Sequence, residues 1–336
     1  MTQRRLPGRR TALAAVLPAA VLLVPTAAHA QSPAVPPAPA PAPPAPVVTK
    51  LTLVTEKARG GEVLKGEKWR ALAVTDQFVA GTKVRVTFTA KGKRSSKTVT
   101  LKQQKDGEKG YVRLNVPGKV SKSSRVVVRA AIPKNQPIAT TVAKTKVVLQ
   151  ATPNVSAGER GLAVRMLQEM LADKAYVIGK KGVYDARTQR AVLAFRKVAR
   201  MSATSEANSA VFRALRAGKG RFKVKFPSHG RHVEGDIERR VLVLVDKGKA
   251  IRIYHTSPGK PSTPTIRGSF HVYMKDPGTN AKGMYKSSYF IRGYAVHGYP
   301  EVPAGYSASH GCFRVPMSDA ASIYAFMTIG MPVDTY

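Results

Sequence analysis

The chain has 336 residues, a length that accommodates two or three domains of ordinary size. Its 56 lysines and arginines outnumber its 19 acidic residues, which gives a net charge of +37 at pH 7 and indicates an anionic partner or surface; a solvated basic surface without a single partner is the alternative. The only cysteine, Cys312, excludes an intramolecular disulfide framework.

The first thirty residues have the three parts of a secretory signal peptide. Four arginines form a basic start, residues 12–24 are apolar, and Ala28-His29-Ala30 matches a small-residue cleavage site. An uncleaved membrane anchor is the alternative, but the apolar run is shorter than the ~20 residues that a spanning helix needs, and Pro18 interrupts it. We expect residues 1–30 to direct export.

Two segments of different composition follow. Residues 31–46 contain eight prolines, cannot pack a core and predict an extended linker. Residues 47–150 are rich in valine, threonine and lysine, alternate apolar with polar positions and predict a β-sandwich. This basic region carries a net charge of +17 and no catalytic cluster, so we interpret it as a spacer or docking module and Trp69 as a core residue.

Residues 151–220 predict a bundle of three short helices. We expect Asp185 to be the N-cap of the second helix and the third helix to end at Gly218. Residues expected on the buried faces of the first two helices are Leu162, Met166, Leu167, Met170, Leu171, Ala191, Val192, Phe195 and Val198.

The two longer helices resemble the peptidoglycan-binding type 1 domain, whose motifs are G-x-x-V-x-x-L-Q and T-x-x-A-V-x-x-F-Q. The matching residues are Gly161, Val164, Leu167, Gln168, Thr188, Ala191, Val192 and Phe195. Arg196 stands where the family commonly has glutamine. Since most matching residues occupy core positions, the resemblance implies the fold more than a binding site.

Residues 221–336 predict a β-rich module. A hairpin spans 239–257, and further strands are expected at 267–275, 287–298 and 331–336. A short helix is expected over 318–330, with Ser318 as its N-cap and Gly330 past its end. The whole chain is therefore expected to be multidomain and mainly β.

Cys312 is either an inert buried residue or a free reactive thiol. A nearby imidazole or cation activates a thiol, and a neighbouring glycine lets a substrate carbonyl approach backbone N–H groups. His310, Gly311 and Arg314 surround Cys312, and His297 lies upstream, so we favour a nucleophile. One cysteine with one close histidine is a poor zinc site, so we expect no metal and no cofactor.

The string His297-Gly298, followed by Ser309-His310-Gly311-Cys312-Phe313-Arg314, closely resembles the catalytic signature of the L,D-transpeptidase family. Residues 258–270 are similar to another family segment, with Ile266-Arg267 inserted before its glycine. The resemblance implies a β-rich L,D-transpeptidase-like catalytic domain over 221–336.

By that resemblance Cys312 would be the nucleophile, His297 its general base and the Gly298 carbonyl the group that orients the imidazole. His310 would stabilise the site, and N–H groups around Gly311 and Cys312 would hold the oxyanion. The candidate substrate-binding residues are Ser309, which would support the loop by hydrogen bonding, and Arg314, which would grip a carboxylate or fix the loop. Histidines without a motif role are interpreted as surface or packing residues: His229, His232, His255 and His271.

The resemblance implies a secreted enzyme of the periplasm or cell wall, acting in cell-wall organisation and cell shape. It would release D-alanine from peptidoglycan tetrapeptide stems and form 3→3 cross-links through a cysteine thioester. Water as acceptor would make it an L,D-carboxypeptidase; a non-catalytic basic cell-wall-binding protein is the other alternative. Expected partners are stem peptides, anionic wall polymers and, as inhibitors, carbapenem-type β-lactams. Nucleic acid is not expected, because no recognition motif is present.

Overall fold

The computed structural model describes residues 44–58, 60–116 and 124–336. The predicted signal peptide and residues 31–43 of the predicted linker lie outside them. Residues from Ala45 to Tyr336 form one compact unit. None of the helices among the described residues combines the length and hydrophobicity that a bilayer-spanning segment requires.

The N-terminal region is a β-sandwich, as its alternating pattern predicts. Its strands are β1 (Leu51–Glu56), β2 (Glu62–Leu64), β3 (Arg70–Thr75), β4 (Lys83–Ala90), β5 (Lys93–Thr100), β6 (Lys102–Gln103), β7 (Gly110–Asn115), β8 (Ser124–Ile132), β9 (Thr141–Val142) and β10 (Lys146–Ala151). One sheet has the order β1-β3-β7-β6, and the other has the order β2-β10-β8-β4-β5 with β9 beside β8. Trp69 is 5% exposed and packs edge-on against Phe88, which confirms it as a core residue.

Three helices follow: α1 (Leu162–Ala172), α2 (Ala186–Val198) and α3 (Ser209–Arg216). Asp185 caps α2 as predicted, because its Oδ1 accepts the Thr188 N–H at 2.8 Å. Apolar side chains at helical spacing form a buried core that includes Leu167, Phe195 and Phe212. The sequence pattern therefore predicted these helices well.

The helices also pack against both neighbouring regions. Their core contains Leu64 from the sandwich and Val243 and Ile253 from the C-terminal region. An Arg216–Glu67 ion pair of 3.1 Å joins α3 to the sandwich. The helical region is thus attached on both sides by buried apolar contacts.

The C-terminal region contains two sheets and one helix. Its elements are β11 (His232–Asp236), β12 (Val241–Asp246), β13 (Lys249–His255), β14 (Gly268–His271), β15 (Met274–Thr279), β16 (Tyr285–Ile291), β17 (Tyr294–Tyr299), β18 (Phe313–Pro316), α4 (Met317–Phe326) and β19 (Pro332–Thr335). The sheet orders are β13-β12-β11-β19-β14 and β15-β16-β17-β18. The predicted hairpin appears as β12 and β13. The strand expected at 267–275 is split between the two sheets, and the strand expected at 287–298 is divided between the antiparallel neighbours β16 and β17.

The prediction that Ser318 is the N-cap of the last helix is wrong. Helix α4 begins one residue earlier, after Pro316, and its N-cap position makes no side-chain hydrogen bond. The Ser318 hydroxyl instead accepts a hydrogen bond of 2.6 Å from Arg190 of α2. A contact between regions thus determines the role of this serine.

Candidate active site

Parallel pairing of β17 with β18 brings the two central residues of the signature together. His297 lies on β17 opposite Arg314, and Cys312 immediately precedes β18. Parallel neighbours need a crossover connection, which residues 300–312 supply here. His297 and Cys312 both line a cleft of about 650 Å³.

A backbone carbonyl sets the orientation of the His297 ring. It is 3% exposed, and its Nδ1 lies 3.0 Å from the Gly298 carbonyl oxygen. A carbonyl oxygen only accepts, so Nδ1 carries the proton and Nε2 keeps a free lone pair. Burial lowers the pKa of His297 to about 4; the Gly298 carbonyl opposes this fall, and Arg314 adds to it. The imidazole is therefore neutral at physiological pH and able to accept a proton.

Cys312 is 9% exposed and lines the same cleft. Its Sγ accepts the Ala295 N–H at 3.4 Å. Burial raises the pKa of the thiol, although the Ala295 N–H, Arg314 and Lys282 act in the opposite direction. These shifts favour a neutral thiol–imidazole pair over a preformed thiolate.

Two glycines permit close packing at the site. A Cβ at Gly298 would lie 2.7 Å from the Cβ of Ala320 on α4. Gly311 has φ 116°, and a Cβ there would lie 2.5 Å from the Tyr294 ring. Any other residue at Gly311 would displace Tyr294, which lines the cleft, and any other residue at Gly298 would disturb the packing of β17 against α4.

Ser309 fixes the loop that carries Cys312. Its buried hydroxyl donates to the Cys312 carbonyl at 2.6 Å and accepts the Gly311 N–H at 3.0 Å. Its backbone N–H donates to Pro258 O at 3.1 Å. Because the Gly311 N–H is engaged, the Cys312 N–H is the better candidate for the oxyanion.

Two further signature residues, Arg314 and His310, also line the cleft. The Arg314 guanidinium lies over the Tyr299 ring, 4.0 Å from its centroid. His310 is exposed at the cleft surface. The structure therefore gathers His297, Ser309, His310, Cys312 and Arg314 at one cleft, with Gly298 and Gly311 in the adjoining backbone.

The signature did not reveal the rest of the cleft lining. These further lining residues include Asn280, Lys282, Met284, Tyr289 and Tyr294. The Asn280 side-chain oxygen accepts the N–H groups of Lys282 and Met284, each at 3.0 Å, and so fixes the turn that carries Lys282. The Asn-Ala-Lys-Gly run between two strand-like segments was the available turn signal.

Of the four histidines outside the motif, two are buried and two are exposed, in line with their interpretation as surface or packing residues. His232 is fully buried and contacts Glu234, His255 is 3% exposed, and His229, which is exposed, bonds to Asp334. His271 is exposed. Within residues 44–58, 60–116 and 124–336, no group of three or more histidine, cysteine or acidic side chains is arranged to hold a metal ion.

The family model for the L,D-transpeptidase catalytic domain matches residues 230–334, and that for a peptidoglycan binding domain matches residues 160–215.

The chain resembles an L,D-transpeptidase crystal structure (residues 123–326) from Xylanimonas cellulosilytica DSM 15894, with 33% identity over 55% of this chain and 98% of that chain and a TM-score of 0.51. The Stackebrandtia nassauensis L,D-transpeptidase is 22% identical over 55% and 96% of the respective chains, with a TM-score of 0.36. The E. faecium catalytic domain acylated by ertapenem is 26% identical over 32% and 97%, with a TM-score of 0.28. No curated protein matches this chain. The family model, the 33% identical structure and the cleft lined by His297 and Cys312 agree with one another. The chain therefore belongs to the L,D-transpeptidase family.

Proposed function

We propose that this protein is an exported L,D-transpeptidase that forms 3→3 peptidoglycan cross-links through a thioester on Cys312. The observation that carries the proposal is the neutral His297 imidazole, with its Nε2 free, in the same cleft as the only thiol. Such a pair suits nucleophilic acyl transfer, because the base can take the thiol proton during attack.

In the first half-reaction, His297 Nε2 accepts the thiol proton while Sγ attacks the carbonyl carbon of the third stem residue, whose amide nitrogen belongs to the terminal D-alanine. The Cys312 N–H stabilises the oxyanion. The carbon–nitrogen bond then breaks, the imidazolium returns the proton to the leaving nitrogen, and D-alanine departs. An acyl group remains on Sγ as a thioester.

In the second half-reaction, a side-chain amine of a neighbouring stem attacks the thioester. His297 takes a proton from that amine and returns it to sulfur as the carbon–sulfur bond breaks. The products are a new amide and the original thiol. Water in place of the amine would release a tripeptide stem instead.

Product analysis tests this proposal. Incubating the full chain with purified tetrapeptide muropeptides is expected to yield free D-alanine and a dimer joined 3→3, identified by mass spectrometry. Tripeptide without dimer would identify a carboxypeptidase. Unchanged muropeptides would favour the non-catalytic wall-binding alternative.

The positive charge of the cleft suits an acyl donor, the stem peptide, that is rich in carboxylates. Lys282 and Arg314 line it, and none of its lining residues is acidic. The guanidinium of Arg314 is held over Tyr299, and the turn of Lys282 is held by Asn280. We therefore propose that both cations bind carboxylates of the stem peptide.

Replacing Lys282 with glutamine is expected to raise KM for the donor roughly 3- to 10-fold, because one charged contact is lost, while kcat changes less than about twofold. Lys249→Gln is the matched control, since Lys249 is exposed on β13 and does not line the cleft. Steady-state kinetics on a soluble muropeptide measure both. An unchanged KM for Lys282→Gln would exclude this lysine from substrate binding.

The sandwich presents a basic edge that fits an anionic wall polymer. Strand β5 is the outer strand of its sheet, and its Lys93, Arg94 and Lys97 are exposed. None of these three cations forms an ion pair with another described residue. We propose that this edge helps retain the enzyme on anionic cell-wall polymer.

Replacing Lys93, Arg94 and Lys97 together with glutamine is expected to lower retention on isolated cell walls, while turnover of soluble muropeptides is unchanged. Wild-type retention should fall steeply with salt, because exposed charges are screened beyond ~8 Å at physiological ionic strength. Pull-down across a salt series measures both effects. This variant is preferable to deleting residues 47–150, since deletion would also remove Leu64 from the core it shares with the helices.

The matched control replaces Lys247, Lys249 and Arg252 with glutamine, which removes the same charge from the hairpin of β12 and β13. These side chains are exposed as well. Retention should fall less in this control than in the β5 variant. Salt-insensitive retention of the wild-type protein would contradict the electrostatic account.

A further inference from the structure

A buried hydrogen-bond chain connects the helical region with the segment that joins the two catalytic residues. Lys197 of α2 is 5% exposed, and its Nζ lies 2.8 Å from Nδ1 of His255 at the end of β13. Nε2 of His255 lies 3.0 Å from the carbonyl oxygen of Val302. Val302 belongs to the crossover between His297 and Cys312. The two hydrogen bonds therefore connect the helical region with this crossover in the C-terminal region.

The chemistry of the three groups fixes the direction of both hydrogen bonds. The Val302 carbonyl can only accept, so Nε2 of His255 carries the proton and donates it. Nδ1 is then an acceptor in the neutral imidazole, and the Lys197 amine donates to it. Burial, together with the adjacent Lys197, lowers the pKa of His255 to about 3, which keeps this imidazole neutral.

Lys197 retains its donor role whether or not it is charged. Burial lowers its pKa to about 7, and Arg240 contributes to this fall. Both the ammonium and the neutral amine have N–H groups for His255 and for the Arg240 carbonyl, which lies 3.3 Å from Nζ. The contact therefore persists on either side of neutral pH.

His255 is the first of several anchors along one side of the crossover. Two residues further on, the Ser257 hydroxyl donates to Tyr306 O at 3.1 Å and accepts the Ala308 N–H at 3.0 Å. Next along the crossover, the Ser309 N–H donates to Pro258 O, and the Ser309 hydroxyl donates to the Cys312 carbonyl. Residues 255–258 thus hold the crossover in place from Val302 to the nucleophile.

We propose that Lys197 is a positioning residue for acyl transfer: through His255, the helical region fixes the crossover and hence the placement of Cys312 relative to His297. The inference rests on the proposed acyl transfer at Cys312. It gives the helical region a part in catalysis, in addition to any part in wall binding. Small displacements of reacting groups have large effects, since a misplacement of about 1 Å can lower a rate about 10²-fold.

Lys197→Met in the full chain tests the proposal, with ertapenem as the acylating probe and adduct formation followed by mass spectrometry. The maximum acylation rate is expected to fall roughly 10- to 100-fold, while the ertapenem concentration for half-maximal rate changes less than about threefold. His255→Leu should cause a similar fall. The double variant should be no slower than either single variant, because both act through one contact.

Arg196→Met is the matched control. Arg196 is adjacent on α2 and also 5% exposed, but among the residues that the structure describes its guanidinium bonds only to Ser202 O and Glu206 O, both in its own region. Its acylation rate should stay within about twofold of wild type. An equal fall in this control would assign the Lys197 effect to general loosening of the helices and overturn the proposal.

The tautomer of His255 provides a second test. This test uses only the wild-type protein, so it does not depend on whether a variant folds. Nitrogen NMR of histidine-labelled protein is expected to show His255 protonated at Nε2 and unprotonated at Nδ1. A proton on Nδ1, or a wild-type acylation rate in Lys197→Met, would overturn the positioning role alone. Failure of wild-type protein to be acylated would remove the proposed function and this inference together.

Discussion

Cys312→Ala is expected to abolish both muropeptide turnover and covalent adducts with a carbapenem. Cys312 is the only thiol in the chain, and the proposed thioester cannot form on alanine. Intact-mass analysis after incubation with ertapenem measures the adduct, and product analysis measures turnover. Thermal unfolding is the control, and the variant should unfold within a few degrees of wild type. Residual cross-linking by the alanine variant would eliminate the thioester mechanism.

His297→Ala is expected to lower the acylation rate by roughly 10²- to 10⁴-fold, with little change in KM, because the loss of a general base affects proton transfer more than binding. Single-turnover acylation by ertapenem measures this rate. His310→Ala is the matched control, since His310 is exposed at the cleft surface, and its effect should be far smaller. The opposite ranking would make His310 the base.

The pH profile of the wild-type rate provides an independent check on the same residue. The lowered pKa of His297, about 4, keeps the imidazole neutral above that pH. Acylation is therefore expected to decline only as the pH falls through about 4, when the base becomes protonated. An acid limb near pH 6.5, the ordinary value for histidine, would contradict the buried environment described for His297.

The meeting of His297 and Cys312 in one cleft was predictable because both residues lie in a short, specific string. His297 and Ser309 to Arg314 are separated by one loop, and parallel pairing of β17 with β18 preserves their proximity. The helices and the β12–β13 hairpin were predictable for a similar reason, since their burial follows a local period.

Contacts between distant segments were not predictable from the sequence. Lys197 and His255 are 58 residues apart, and nothing local distinguishes that lysine from the exposed ones. Ser318 has the residue type of an N-cap, but Arg190 of another region binds its hydroxyl. Lys282 lies in the turn that joins β15 to β16, and it lines the cleft because the pairing of these two strands places that turn there.

The most direct test of acyl transfer at Cys312 is to trap the intermediate. A tetrapeptide muropeptide mixed with excess full-length enzyme, quenched in acid and mapped by mass spectrometry, should give a thioester on the peptide containing Cys312 and one equivalent of free D-alanine. An acyl adduct on any other residue, or dimer formation while Cys312 stays unmodified throughout the time course, would contradict the account.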